Sequence, residues 1–315
     1  MGAHPLEPGP MYTSDDPALA HLVRELENFQ DIASHLLPLA GEVPRLPGID
    51  VWGGTRALTG AAGGDHIIYV DFKQRFDLSA RIARAQAAGR PDVAENLRRC
   101  QDRAGIAIVD VAGHRMTDAL LAAMLHQAFL VGALYELDMN GQITRHLFEN
   151  LNTRFYQSSG AHKYLSLIYG EISADARFRF LSAAHPLPLI FSNRNDRFME
   201  VGPHQRVSFP PVGMLPSFDA IDRNVTEASM LGFKDTYEMN EWRIMGAGDI
   251  LLLPTDGLTE HRRGEQPYTP EALEAKVRAV KHLDARGIYE AIMEDVVAFA
   301  APADDISLVV VKLKG

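Results

Sequence analysis

Four short acidic motifs, each abutting a run of apolar residues, constrain this chain more than any other feature of it. They are Gly63-Gly64-Asp65, Asp110-Val111-Ala112-Gly113-His114, Thr255-Asp256-Gly257 and Asp304-Asp305-Ile306-Ser307. The adjoining runs, Ile67 to Val70, Ile106 to Val109, Ile250 to Leu253 and Ile306 to Val311, are short, apolar and rich in β-branched residues, which is the pattern of buried strands. Acids at strand ends can converge on one point even when they are distant in sequence. Clustered carboxylates repel one another without cations, and a set of hard oxygen ligands is what Mg²⁺ or Mn²⁺ requires. Each motif taken singly is an ordinary turn. It is their joint occurrence at strand boundaries that points to a metal centre.

The rest of the chain supplies a scaffold for such a centre. Residues 1–16 are rich in Pro, Gly and polar residues and read as a flexible arm. From Pro17 to Leu37, the residues Leu19, Leu22, Val23, Leu26, Phe29, Ile32 and Leu36 recur at helical spacing, with Asp15 or Asp16 as the N-cap. This helix either packs on its own core or serves as a dimer or regulatory helix. After Pro44 to Pro47, a strand-like stretch at Ile49 to Trp52 leads through Gly-rich turns to Asp65. Two strands, Ile67 to Phe72 and Gly105 to Val111, should pair, although residues 74–104 separate them. Leu78, Ile82 and Ala85 suit one helix there and Val93, Leu97 and Cys100 a second, with Gly89-Arg90-Pro91 between, so the spacing predicts an inserted helical hairpin. Between positions 73 and 103, eight cationic side chains stand against four acidic ones. That makes the hairpin either a docking element for a partner or a solvated helical face.

Long helices are expected at Asp118 to Leu134 and Ile143 to Tyr156. Strands follow at Leu165 to Ile172, Phe178 to Ala184, Leu187 to Phe191 and Ile250 to Pro254, and a helix at Arg286 to Phe299 precedes the final strand. Blocks of strands and helices with turns such as Ala174-Asp175-Ala176 predict an α+β fold with two mainly antiparallel sheets facing each other and helices outside.

Composition narrows the function. The formal net charge of −10 argues against a nucleic-acid partner, because phosphate neutralisation needs a basic surface. The single Cys excludes an internal disulfide framework and a cysteine-based metal site. No apolar stretch approaches the ~18–20 residues of a membrane span, and Met1 to Met11 lacks the basic-then-apolar pattern of a leader, so no membrane is expected and the expected compartment is the cytoplasm.

The ordered motifs also resemble a known family. With Ala183-Ala184-His185-Pro186-Leu187-Pro188 between the second and third, and with Leu252 to Glu260 around Thr255-Asp256-Gly257, they look like the successive signatures of the PPM-type (protein phosphatase 2C-like) metal-dependent serine/threonine phosphatases, in the bacterial SpoIIE/RsbU-like branch. Phe29-Gln30-Asp31, Leu36-Leu37-Pro38 and Leu46-Pro47-Gly48 resemble the approach segment of that branch, so the likeness covers about residues 18–315. It implies an αββα sandwich, with residues 17–44 as a linker or regulatory helix and 45–315 as the phosphatase domain. It further implies two divalent cations, Mn²⁺ or Mg²⁺, at one end of the sandwich. Carried over position by position, Asp110 would bridge the cations and the Val111 carbonyl, Asp65, Asp256 and Asp304 would complete the shells, with Asp305 the second choice to Asp304. Water activated by the cations would attack phosphorus, with no nucleophilic Ser or Cys.

Other residues around the motifs are candidates with plain alternatives. His114 is either a general acid or a structural neighbour of the site, and His185 reads as a hydrogen-bonded loop residue. Arg56 and Arg115 are candidate phosphate contacts, or solvated loop arginines. Arg115 departs from the small residue usual in the family, and the 74–104 hairpin is the largest departure. The expected substrate is a phosphorylated signalling protein such as an anti-sigma factor antagonist, with an activator on the N-terminal helix or the hairpin, and with homodimerisation through the helix at Pro17 to Leu37. The same residues leave open a catalytically silent scaffold and a hydrolase of small phosphate esters.

Overall fold

In a computed structural model of the protein, the described residues are 17–35, 43–58, 63–112, 116–158, 164–202, 207–218, 231–243 and 245–314. Among them two five-stranded sheets lie face to face. The first has the order β1 (Ile49–Arg56), β12 (Ile306–Leu313), β9 (Ile250–Pro254), β6 (Leu189–Ser192) and β7 (Arg197–Phe198). The second runs β2 (His66–Asp71), β3 (Arg103–Val111), β4 (Leu165–Ser173), β5 (Phe178–Ala183) and β8 (Asn240–Trp242). Neighbouring strands pair antiparallel throughout. A separate ribbon joins β10 (Arg262–Arg263) to β11 (Gln266–Pro267).

The two-residue period of each strand sorts its side chains between layers. In β3, Ile106 and Ile108 face the opposite sheet with Ile67, Ile168, Leu251, Leu253, Val309 and Val311. Ala107, Val109 and Val111 face away, into a core shared with α3 (Leu78–Ala87), α4 (Pro91–Cys100), α5 (Met116–Asn140) and α6 (Arg145–Ser158). Behind the first sheet, Leu252, Leu308 and Val310 pack with α8 (Glu271–Val280) and α9 (Ala285–Phe299), and α7 (Asp256–Thr259) covers the end of β9. The result is the four-layer sandwich expected from the sequence. Phe129, fully buried on α5, illustrates the energetics: truncation to Ala would cost about 3–5 kcal/mol.

Several boundaries differ from expectation. β1 continues four residues beyond Trp52 because Gly53 and Gly54 are strand residues: a Cβ on Gly53 would lie 2.7 Å from the Tyr69 hydroxyl and from the Leu308 carbonyl. Absence of a side chain there lets the sheets close, whereas the sequence suggests a turn. β5 ends at Ala183 because Ala184 takes a left-handed φ of 55°. α8 was not anticipated.

The hairpin between β2 and β3 is helical as expected, after a short α2 (Phe72–Arg75). Asp77 caps α3 by accepting from the Ala80 amide at 2.9 Å, Gly89 turns the chain at φ 68°, and Pro91 opens α4. Its apolar stripe, Leu78, Ala85, Val93, Leu97 and Cys100, is buried in the helical core. The basic side chains are partly engaged there. Arg81 and Arg84 pair with Asp138, and Arg90 donates to the Asp138 and Met139 carbonyls, so three cations gather at the C-terminus of α5.

α5 also corrects a reading of the sequence. Asp118–Asn140 has a mean hydropathy of 1.5 and is long and apolar enough to cross a membrane by length and composition. One face, with Ala122, Leu125, Phe129, Ala133 and Leu137, is core; Leu120, Met124, Val131, Leu134, Tyr135 and Met139 are exposed. α1 (Pro17–Ser34) touches α5, yet Leu19, Leu22, Val23, Leu26 and Ile32 remain 41–66% exposed. Packing of α1 on its own core is therefore not what is observed.

Candidate metal centre

Strand pairing alone brings the four motifs to one end of the sandwich. β2 and β3 pair His66 with Val109, which sets Asp65 beside Asp110, and the Val111 amide donates to the Gly64 carbonyl at 3.3 Å. β9 and β12 pair Pro254 with Leu308, and the Thr255 amide donates to the Ser307 carbonyl at 3.0 Å, which sets Asp256 beside the Asp304-Asp305 corner. Alternation does the rest. Asp65 follows the parity of Ile67, Asp110 that of Ile108, Thr255 that of Leu253, and Ser307 that of Val309, all of which face the space between the sheets.

A polar layer therefore caps the apolar core at this end. Thr255 Oγ1 donates to Asp65 Oδ2 at 2.8 Å and accepts from the Ser307 amide at 2.9 Å, while Thr55 and Ser307 hydroxyls meet at 2.6 Å. Asp305 is buried, and its carboxylate accepts from the Leu58 amide at 2.6 Å and the Gly64 amide at 2.7 Å, lashing the segment before Asp65 to the start of β12. Gly257 is required beside it, since a Cβ there would lie 1.9 Å from the Asp305 carbonyl. Asp304 is exposed and points none of its oxygens into a comparable latch beyond accepting from the Asp305 amide at 2.8 Å.

The electrostatics are those of an anionic cluster without a counter-ion. Burial, then the charge of Asp110, pushes Asp65 well above the ordinary carboxylate range, partly offset by hydrogen bonds from Thr255 and Ser307. Burial and the charges of Asp256, Asp304 and Asp305 push Asp110 up to about 7. Burial and Asp304 raise Asp256 as well. Among the described residues, no Lys or Arg figures among the dominant influences on these three acids. Four carboxylates and the neighbouring Val111 carbonyl form an all-oxygen donor set that fits hard divalent cations. Among the described residues, however, no three His, Cys, Asp or Glu side chains are gathered closely enough to hold a metal ion as they stand. The Asp110 and Asp256 carboxyls meet in a hydrogen bond, while Asp65 and Asp304 act on this pair by charge without completing a three-ligand group.

The remaining candidates divide. Arg56 is exposed at the end of β1, opposite Ile306 in register, and its charge acts on Tyr289. His114 and Arg115 lie outside the described residues. Sequence reasoning missed the contact of buried His66 with half-buried His126, whose ring nitrogens are 2.6 Å apart and which ties α5 to the strand after Asp65. It also missed Thr55 and Ser166 in the polar layer; strict alternation along β1 and β4 is the signal that could have found them. A cavity of about 430 Å³ adjoins the acids, lined by Asp256, Gly257, Glu260, His261, Arg262 and Asp304.

Known structures share this architecture. The RsbU and RsbW domains of Rv1364c from Mycobacterium tuberculosis align with a TM-score of 0.59 and 18% identity over 88% of this chain and 64% of that one. The PP2C phosphatase domain with a regulatory fragment of SpoIIE from Bacillus subtilis gives 0.58 and 18% over 84% and 64%. The SiaA-PP2C domain of Pseudomonas aeruginosa gives 0.61 and 13% over 94% and 98%. The chain thus spans under two thirds of the first two, and at these identities the likeness concerns the fold. No curated protein matches the sequence. The family described as Stage II sporulation protein E (SpoIIE) matches residues 101–314, a segment that carries Asp110, Asp256 and Asp304 and leaves Asp65 outside it. With that match over most of the sequence, the chain belongs to the SpoIIE family, and the sandwich that brings those acids together has the fold of the PP2C phosphatase domain of SpoIIE from Bacillus subtilis.

Proposed function

We propose that the protein is a metal-dependent phosphatase acting on phosphoserine or phosphothreonine of a bacterial signalling protein, such as an anti-sigma factor antagonist. The observation that carries this reading is the convergence of Asp65, Asp110, Asp256 and Asp304 at one end of the sandwich, three of them with raised affinity for protons. Asp65, Asp110, Asp256, Asp304 and the Val111 carbonyl would hold two Mn²⁺ or Mg²⁺ ions. When bound, such ions supply Lewis acidity and an activated water for hydrolysis of a phosphate ester. Asp305 holds the preceding loop rather than competing for cations, because both its oxygens already accept backbone amides. Thr255 orients the Asp65 carboxylate, and Gly257 keeps the Asp256 turn against β12. The adjoining cavity, open beside Asp256 and Asp304, gives room for the residues flanking a phosphorylated side chain.

Partners follow from the surface. The exposed apolar residues of α1 and α5 support homodimerisation or activator binding at α1, and the basic hairpin α3–α4 is the second candidate for an activator. We place the reaction in the cytoplasm, where such signalling proteins act. The test is hydrolysis of an aryl phosphate and of a phosphoserine protein by purified protein in EDTA, Mg²⁺ and Mn²⁺, beside Asp110→Ala. Activity restored by metal and lost in the variant is the expected result. Folded protein that binds no metal by calorimetry and turns over neither substrate would overturn the phosphatase reading in favour of a binding protein; metal bound without turnover would mark an enzyme that waits for its activator, and turnover of the small ester alone would reassign the substrate.

A further inference from the structure

His185 belongs to no part of the chemistry above, yet it is fully enclosed at the same end of the sandwich. The side chain is 4% exposed. Its Nδ1 lies 2.8 Å from Ser166 Oγ, and its own carbonyl accepts from Ser182 Oγ at 3.0 Å. Ser166 is the register partner of Asp110 across β3 and β4, and it shares the parity of Ile168, so both side chains are on the face between the sheets. The other ring nitrogen, Nε2, is buried without a hydrogen-bond partner, and the carbonyl of Pro254 is the backbone group that acts on the ring. Pro254 is followed directly by Thr255 and Asp256. The ring therefore stands between the strand position beside Asp110 in one sheet and Pro254, two residues before Asp256, in the other.

The backbone is set to hold the ring there. Ala184 has a left-handed φ of 55°, a conformation that a non-glycine residue rarely adopts. Burial keeps the imidazole neutral, its pKa pushed down to about 3, so the ring carries a single N–H.

We propose that His185 is a positioning residue for the metal centre, bridging Ser166 beside Asp110 to the Pro254 carbonyl before Asp256 and so fixing the separation of those two carboxylates across the sandwich. The inference rests on the metal-centre reading: the Asp110 and Asp256 carboxyls already meet in a hydrogen bond, and a ring held by Ser166 and acted on by the Pro254 carbonyl keeps the two strands that carry them in that register. Outer groups of this kind typically change metal affinity 10–100-fold when removed.

The experiment measures Mn²⁺ binding by the full chain, through the electron paramagnetic resonance signal of free Mn²⁺, with thermal unfolding in EDTA recorded in parallel. His185→Leu fills the space and removes both contacts; His185→Gln places an amide N–H near the position of Nε2. We expect His185→Leu to weaken Mn²⁺ binding at least tenfold, His185→Gln to recover much of that loss, and Ser166→Ala, a milder change at the other end of the bridge, to weaken it about threefold or more. His185→Leu and Ser166→Ala both binding Mn²⁺ within twofold of the unaltered chain would overturn the bridge while leaving the metal centre standing. Should His185→Leu fail to fold, Ser166→Ala alone decides. If the unaltered chain binds no Mn²⁺, the metal-centre reading falls and this inference with it.

Discussion

Removing a charge from the proposed metal centre should stabilise the metal-free protein, and Asp110→Asn tests this directly. Asp110 sits in the fold with its carboxyl pushed up to about 7, first by burial and then by Asp256, Asp304 and Asp305. A carboxylate with a raised folded pKa imposes no penalty below its unfolded value of 3.8, an increasing one between 3.8 and about 7, and the full one above. That interval, at ~1.4 kcal/mol per pH unit, sets a ceiling of about 4 kcal/mol. Asp110 is only partly buried, so solvent screening reduces the expected gain to about 1–3 kcal/mol. In EDTA at pH 8, Asp110→Asn should then unfold about 2–6 °C above the unaltered chain, and the difference should shrink towards zero as the pH is lowered from 8 to 4. Saturating Mn²⁺ should reverse the order, because cation binding stabilises only the chain that holds it. Calorimetric scans at pH 4, 6 and 8 with and without Mn²⁺ give the four quantities needed. An Asp110→Asn protein that melts at or below the unaltered chain in EDTA at pH 8 refutes the picture of uncompensated repulsion.

The two adjacent acids should separate by assay. Asp304→Ala is expected to abolish metal-dependent turnover with less than about 0.5 kcal/mol change in EDTA stability, whereas Asp305→Ala frees two backbone amides and should cost about 2 kcal/mol or more in denaturant titration. Gly257→Ala drives a Cβ against the Asp305 carbonyl; loss of Mn²⁺ binding together with a melting point lowered by at least 3 °C is expected, and an unperturbed melt would show that the turn relaxes freely. Lys234, with its side chain wholly buried, is held by Glu149 at 2.9 Å, and Glu149 also takes the Tyr237 amide at 2.6 Å. Lys234→Met should cost about 3–5 kcal/mol by leaving Glu149 buried and unpaired, and pairing it with Glu149→Leu should cost less than the sum of the single changes in a double-mutant cycle.

Much of the site is legible in the chain itself, because burial leaves a simple imprint on strands. Ile67 to Val70, Ile106 to Val109 and Ile250 to Leu253 are apolar on both faces, as strands between two cores must be, and the acids end each run where the apolar pattern stops. The hairpin helices at Leu78 to Cys100 are visible for the same reason, in the spacing of the residues they bury. Motif order then carries the family. Sequence periodicity says nothing, however, about which polar atom meets which. It leaves Asp304 and Asp305 as equivalent neighbours, and only the placement of Leu58 and Gly64 beside the start of β12 engages one of them with backbone amides. Gly53 reads as a turn until Tyr69 and Leu308 are seen to occupy the space its side chain would need. His66 with His126 and Glu149 with Lys234 meet across 60 and 85 positions, and no local pattern encodes such pairs. α1 shows the same division. Its apolar stripe is plain in the residues, but that the stripe is left exposed depends on how little of it α5 covers. Local propensity and burial pattern determine the elements and the ends at which the acids lie; the distances between those ends, and hence which carboxylate holds a loop and which is free for a cation, are set by how two sheets pack, a property of the assembled layers that no single segment contains.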